Sequence, residues 1–265
     1  MSPMRSVEND PNSGFGLANL PYGVFSHGDD RPRPCTRIGD TVVDLSVVFD
    51  DPVFAEPTLN AFMAQGFDRW VEVRADLTEL LQHDVPDTAL HAIDDVHLHL
   101  PIAVADYVDF YASEHHASNL GRLFRPDNPD PLQPNWKHLP VGYHGRAASI
   151  VVSETDIIRP SGQRLVDGAM PPRFGPSLRL DIEAEMGFVV GTPNEPGQRI
   201  AAVDAEKHLF GAVVFNDWSA RDIQAWEYVP LGPNLGKSFA STISPWVITM
   251  LALESSKVEI PRQDP

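Results

Sequence analysis

Cysteine is almost missing from this sequence of 265 residues, where Cys35 stands alone. An intrachain disulfide is therefore impossible, and so is a zinc centre built on cysteines. No run of 18 apolar residues occurs, which excludes a membrane-spanning helix of the ordinary kind. The first ten residues, M-S-P-M-R-S-V-E-N-D, lack the apolar core of a secretory signal. Together these absences lead to the expectation of a cytoplasmic protein in a reducing setting. Basic residues are scarce as well, 20 against 37 acidic ones, for a formal net charge of −17. Phosphate backbones require a basic surface, so a nucleic-acid partner is disfavoured. The chain also has no nucleophile elbow, no phosphate-binding glycine loop and no zinc-ligand spacing.

What is plentiful is proline, at 25 residues, and glycine, at 18. With 42% hydrophobic residues, that composition favours a β-rich globular chain of short strands and loops with few helices. After a polar N-terminus at Met1–Gly14, the stretches Tyr22–Ser26, Pro34–Ile38 and Thr41–Leu45 are separated by Gly-Asp turns and predict a small β unit. Leu59–Leu81 has helical spacing interrupted at Gly66 and reads as a packing helix. His97 and His99 alternate on one strand face, a pair read as structural. Pro101–Ala105 is a linker into a second, larger unit.

In that second unit, a helix is expected from about Ala112, with Leu120 and Leu123 on one side, and Asp109 is expected in the loop before it. Ser149–Ser153 reads as a strand, Pro160–Pro176 as a Pro/Gly-rich excursion, Leu178–Val190 as one long strand and Asp204–His208 as a helix. The apolar run Leu209–Phe215 ends in Asn216-Asp217. A short helix carrying Arg221 and Gln224 follows, then Tyr228 and the loop Pro230–Pro233, then Lys237, Ser238 and Ser241. Trp246–Met250 is the last expected strand.

Glu183 and Glu185 occupy alternate strand positions, which turns both carboxylates to one face. Adjacent carboxylates raise one another's pKa unless a cation lies between them, and hard divalent cations take such oxygens. The same Glu-x-Glu pattern also suits a solvent-facing strand. Asp217 is a further candidate ligand at a strand end. Asp109 and His116 lie seven residues apart, two turns of a helix that begins early, which would face both toward one pocket. Arg221, Gln224, Tyr111, Tyr143 and Tyr228 are side chains suited to anionic, oxygen-rich small molecules, and Lys237 to a developing negative charge. From residues alone, the reading is a carboxylate–metal site with a histidine base acting on an anionic substrate.

Five segments then converge: D-F-Y-A-S-E-H-H-A-S-N (109–119), L-P-V-G-Y-H-G-R (139–146), E-A-E (183–185), N-D-W-S-A-R-D-I-Q-A-W-E-Y-V-P-L-G-P (216–233) and G-K-S-F (236–239). In this order the chain, from about Asn19 onward, resembles the fumarylacetoacetate hydrolase family. That resemblance implies an SH3-like β-barrel at residues 15–100 and a β-roll catalytic domain from 101 to 265, assembled as a homodimer. It implies hydrolysis of 4-fumarylacetoacetate to fumarate and acetoacetate, at the end of tyrosine and phenylalanine catabolism. Related acylpyruvate hydrolases, oxaloacetate decarboxylases and an inactive, truncated metal-binding β module are the alternatives. By resemblance, Asp109, Glu183, Glu185 and Asp217 ligate Mg²⁺ or Ca²⁺, with further contacts from the Lys237 backbone and from Ser241, which stands at a threonine position. His116 is the general base, and Arg221, Gln224 and Lys237 surround the reacting carbonyl. Tyr111, Arg125, Tyr143 and Tyr228, with Arg221 and Gln224, bind the diketo-acid substrate. The family's chain continues beyond the position of Pro265 with further strands, a glutamate that orients the histidine and a substrate-binding threonine, so the second domain is expected to be incomplete.

Overall fold

The computed structural model describes residues 3–10, 12–166 and 168–259; the end of the second unit, expected at 265, lies outside the described residues. The chain is mainly β and is organised by two five-stranded sheets. The first takes the order Leu90–Ala92, Thr41–Asp44, Arg33–Ile38, Tyr22–Ser26, His97–Leu98, antiparallel throughout. Every residue of Tyr22–Ser26 is buried, as a strand covered on both faces requires. Beside this sheet runs the helix Phe67–Leu80, which begins after Gly66 at a φ of 91°. That left-handed conformation suits glycine and explains why the helical pattern from Leu59 is split there. Trp70, Val73 and Leu77 form the helix's buried stripe.

The second sheet is arranged around the strand Leu209–Asp217. It pairs antiparallel with Ala184–Val190 on one side and with Ser241–Ile243 and Ile248–Thr249 on the other. Ile150–Val152 then adds in parallel to Ser241–Ile243. The two sheets share one apolar core. Phe210, from the central strand, packs against Tyr22, Phe62 and Trp70 with ring centroids 5.7, 5.7 and 5.2 Å away. Trp246 lies against Gly23, where an added Cβ would come within 2.7 Å of the indole.

Several sequence-based expectations need correction. Pro160–Pro176 is not a loop but a hairpin of Ser161–Val166 with Ala169–Pro176. Among the described residues this ribbon pairs with no third strand, and on such outer edges prolines need no N–H partner. Leu178–Val190 is two strands, Leu180–Asp181 and Ala184–Val190, which pair with different partners. Ala202–His208 is a 3₁₀ helix, and the last strand is shortened to Ile248–Thr249 because Thr249 caps the helix Met250–Leu253. The helix expected from Ala112 runs from Glu114 to Phe124, with Ser113 as its N-cap, and Leu123 on it is 70% exposed.

Candidate metal centre

The central strand ends in Asp217, which is completely buried. Across the antiparallel pair it faces Ser241, also fully buried, whose hydroxyl lies beside that of Tyr107. On the other side, Glu185 stands opposite Phe215 in the ladder. Glu183 sits just before that ladder, tied by its N–H to the Asn216 side chain at 3.3 Å and by its carbonyl to the Asp217 N–H at 3.1 Å. These bonds bring oxygens of Glu183, Glu185 and Asp217 within 4.8 Å of one another.

Three cations answer the carboxylates. Lys237 is buried with its Nζ donating to Glu183 Oε2 at 2.5 Å and to Asp217 Oδ2. Arg221 opens the helix Arg221–Glu227 and reaches Glu183 Oε1 at 2.5 Å and Asp181 Oδ2 at 3.0 Å, with Gln224 one turn on at 3.4 Å. Arg146 bonds Asp109 Oδ2 at 2.9 Å and Asp217 Oδ1 at 2.7 Å, and its guanidinium lies 5.4 Å from the ring centroids of both Tyr107 and Tyr143. Asp109 is thus joined to the cluster through Arg146. It stands on the strand Val108–Phe110 opposite Tyr143, not in a loop, so the argument from helical spacing to His116 does not hold.

The charges are unevenly served. Although burial works to raise the Glu183 pKa, Lys237 and Arg221 outweigh it and hold that carboxyl low. Burial raises Asp217 despite Lys237 and Arg146. Glu185, pressed by burial and by Asp109, Asp217 and Glu183, is pushed up to about 8. With every carboxyl ionised, five carboxylates (Asp109, Asp181, Glu183, Glu185 and Asp217) meet three cations, which leaves the cluster two positive charges short. A group of oxygen donors with such a deficit suits a hard divalent cation.

The remaining candidates are held by local contacts, and among them Tyr111 is the one linked directly to the cluster. Tyr111 is close enough to Glu183 to feel its charge, and its hydroxyl donates to the Ala117 carbonyl at 3.1 Å. Arg125 donates to the Pro131 carbonyl at 2.9 Å and, with Tyr111 and Trp136, lines a small cavity. His116 is exposed in the first turn of its helix, with its ring edge-on to Tyr111 at 5.7 Å. Tyr228 closes the short helix, its N–H donating to the Gln224 carbonyl at 3.0 Å. Sequence reasoning gave Arg146 no role. The available signal was general, since four converging acids require counter-charges.

Comparison with known proteins gives this geometry its family. The model of the fumarylacetoacetase N-terminal family matches residues 18–101, and that of the fumarylacetoacetate hydrolase C-terminal family matches 106–261. A fumarylacetoacetase from Oryza sativa subsp. japonica is 48% identical over all of this chain and 67% of its own length. Those from Caenorhabditis elegans and Homo sapiens are each 50% identical, covering 99% and 96% of this chain and 68% and 65% of their own lengths. This chain therefore spans about two thirds of the curated relatives it matches. Among solved structures, a fumarylacetoacetate hydrolase from psychrophilic Exiguobacterium antarcticum superposes with a TM-score of 0.50 at 19% identity, over 87% of this chain and 66% of that one. A putative HpcE protein from Mycobacterium smegmatis gives 0.53 at 17%, over 85% and 66%. At such identities the structures speak for the fold alone. With two family models that together take in most of its length and relatives at half identity, the chain belongs to the fumarylacetoacetate hydrolase family.

Proposed function

We propose that this chain carries the metal centre of a hydrolase that splits the carbon–carbon bond of 4-fumarylacetoacetate into fumarate and acetoacetate. The observation that supports the reading is the meeting of Glu183, Glu185 and Asp217 within 4.8 Å beside Lys237 and Arg221, in a chain 48–50% identical to proteins named fumarylacetoacetase. Glu183, Glu185, Asp217 and Asp109 would hold Mg²⁺ or Ca²⁺, with the Lys237 backbone and Ser241 nearby. Such a cation supplies Lewis-acid polarisation of the diketone oxygens.

The protein's own groups account for the rest. Tyr111, Arg125, Tyr143 and Tyr228 bind the substrate's carboxylates and ketone oxygens and fix its orientation. His116 accepts a proton from water at a ring nitrogen as the water oxygen bonds to the carbonyl carbon on the fumaroyl side. Arg221, Gln224 and Lys237 donate to the oxyanion. The carbon–carbon bond then breaks with its electron pair left on acetoacetate as an enolate, which takes up a proton. On this reading the first sheet belongs to an SH3-like barrel over 15–100 and the second to a β-roll over 101–265, in a cytoplasmic homodimer. The exposed apolar row of Met186, Phe188 and Val190, with Val214 opposite Met186, supports a self-association surface.

The test is turnover of 4-fumarylacetoacetate, followed against an acylpyruvate. His116→Ala should lower kcat by about two decades while leaving Mg²⁺ affinity in place. Equal loss of both would make His116 a structural residue, and preference for the acylpyruvate would transfer the site to the other substrate class.

A further inference from the structure

Lys237 is the most deeply buried cation of the centre, yet the segment before it, Tyr228–Gly236, is proline- and glycine-rich and keeps few of its side chains buried. Val229, Leu231 and Leu235 are 65%, 89% and 55% exposed. Such a loop needs something to hold its end in place, and a single carboxylate meets that need. Glu227, the last residue of the helix Arg221–Glu227, accepts three backbone N–H groups: Asn234 at 2.8 Å, Leu235 at 3.1 Å and Gly236 at 2.6 Å. Three successive amides pointing at one carboxylate make an anion-binding nest, filled from within the chain. Gly236 is secured from its other side too, because its carbonyl accepts the Ala220 N–H at 2.8 Å. It also lies so close to the helix that an added Cβ would come within 2.8 Å of the Gln224 nitrogen. Lys237 follows at once.

We infer that Glu227 is a positioning residue: its carboxylate closes the 228–236 loop onto the helix that bears Arg221 and Gln224, and so sets Lys237 against Glu183 and Asp217. The three groups that would meet the reacting carbonyl then belong to one rigid piece, and their mutual geometry is fixed before substrate arrives. This rests on the proposed roles of Lys237, Arg221 and Gln224, although the clamp itself is a matter of geometry. Glu227 touches none of the four metal-centre carboxylates among its hydrogen bonds here, which separates its effect from loss of a ligand.

The experiment compares the unaltered chain with Glu227→Ala and Glu227→Gln. Lys237 is first probed with an amine-acylating reagent and mapped by peptide mass. Lys237 should be protected in the unaltered chain, become labelled in Glu227→Ala at least about tenfold faster, and be intermediate in Glu227→Gln, which keeps one carbonyl acceptor. Hydrogen exchange at Asn234, Leu235 and Gly236 should accelerate in the same order. With 4-fumarylacetoacetate, kcat should fall about 10- to 100-fold in Glu227→Ala, with KM near that of the unaltered chain and partial recovery in Glu227→Gln. Unchanged labelling and exchange in Glu227→Ala would overturn the clamp. Faster labelling with full kcat would overturn its positioning role. Should no form turn the substrate over, the catalytic reading fails, while labelling of Lys237 still decides the clamp.

Discussion

Arg146 joins Asp109 to Asp217 with one guanidinium, at 2.9 Å and 2.7 Å, and so ties together two elements 108 residues apart in sequence. With side-chain exposures of 4%, 9% and 0%, the three groups are effectively out of water. Replacing one partner of such a pair leaves a buried charge uncompensated, which costs about 3–5 kcal/mol. Arg146→Met should therefore lower the unfolding free energy obtained from urea titration by an amount in that range. Arg146→Lys should recover only part of the loss, since an ammonium cannot bridge two carboxylates in the fork geometry of a guanidinium. Equal stability of both variants and the unaltered chain would remove Arg146 from the architecture of the centre.

Glu185 makes a prediction about protons. Its pKa of about 8 means that in the metal-free protein at pH 7 it is mostly protonated. A divalent cation binding to it must expel that proton, so apparent Mg²⁺ affinity should rise by up to roughly tenfold per pH unit toward pH 8 and flatten above it. Calorimetry in buffers of different ionisation enthalpy would count the proton released. A pH-independent affinity with no proton release would mean that Glu185 is not a ligand.

The same residue has an effect on stability with the opposite beneficiary. Its folded pKa lies above the ordinary carboxylate value, so the folded state binds the extra proton and stability is lost as pH rises from about 4.5 to about 8. Glu185→Gln, which resembles the protonated form, should make the metal-free chain more heat-stable at pH 8 while weakening Mg²⁺ binding. A variant that loses both would show Glu185 to be a packing residue.

In the first sheet, His99 and His91 are held below the ordinary histidine pKa, each chiefly by burial and then by a neighbouring histidine, His97 and His27 respectively. His99 is bonded to Ser26 at 2.9 Å, and His91 also faces Asp44, Arg33 and Asp30. Because folding lowers these pKa values, the unfolded state binds more protons, and their contribution is full above pH 6.5 and lost as pH falls through it. Thermal melts at pH 7.5 and 5.5 should differ, and the double change His91→Gln with His99→Gln should narrow the gap.

Gly23→Ala should destabilise the chain by about 1–3 kcal/mol, since the new methyl would press into the Trp246 ring. Gly14→Ala, with nothing near its Cβ position but a φ of 42°, serves as a control for backbone strain alone.

Much of this was legible in the sequence, for identifiable reasons. β-branched runs such as Ile150-Val151-Val152 and the alternation of Glu183 with Glu185 are local patterns, and local patterns survive folding. The two glutamates do meet, although the ladder begins only at Ala184; a backbone bond from the Asp217 N–H and the Asn216 side chain together hold Glu183 in place. Arg146 ends the segment 139–146 that carries the resemblance, but its role was not legible because its partners are fixed by the fold and leave no spacing in the sequence. Asp109 was misplaced for the same reason, since its three-residue strand depends on Gly142–His144. The hairpin at 161–176 was hidden by Pro171, Pro172 and Pro176, which argue against a strand wherever both edges must be paired.

The strand Leu209–Asp217 has Phe210 in the aromatic core near one end and Asp217 in the charged centre at the other. Shifting its pairing by a single residue would pull both from their places at once. The alignment of the ladder is therefore checked twice, by oil at one end and by charge at the other. An incorrectly aligned sheet cannot hold half of the site, and damage to the aromatic core around Phe210 should be felt as a fault in cation binding some seven residues away, or about 24 Å along an extended strand.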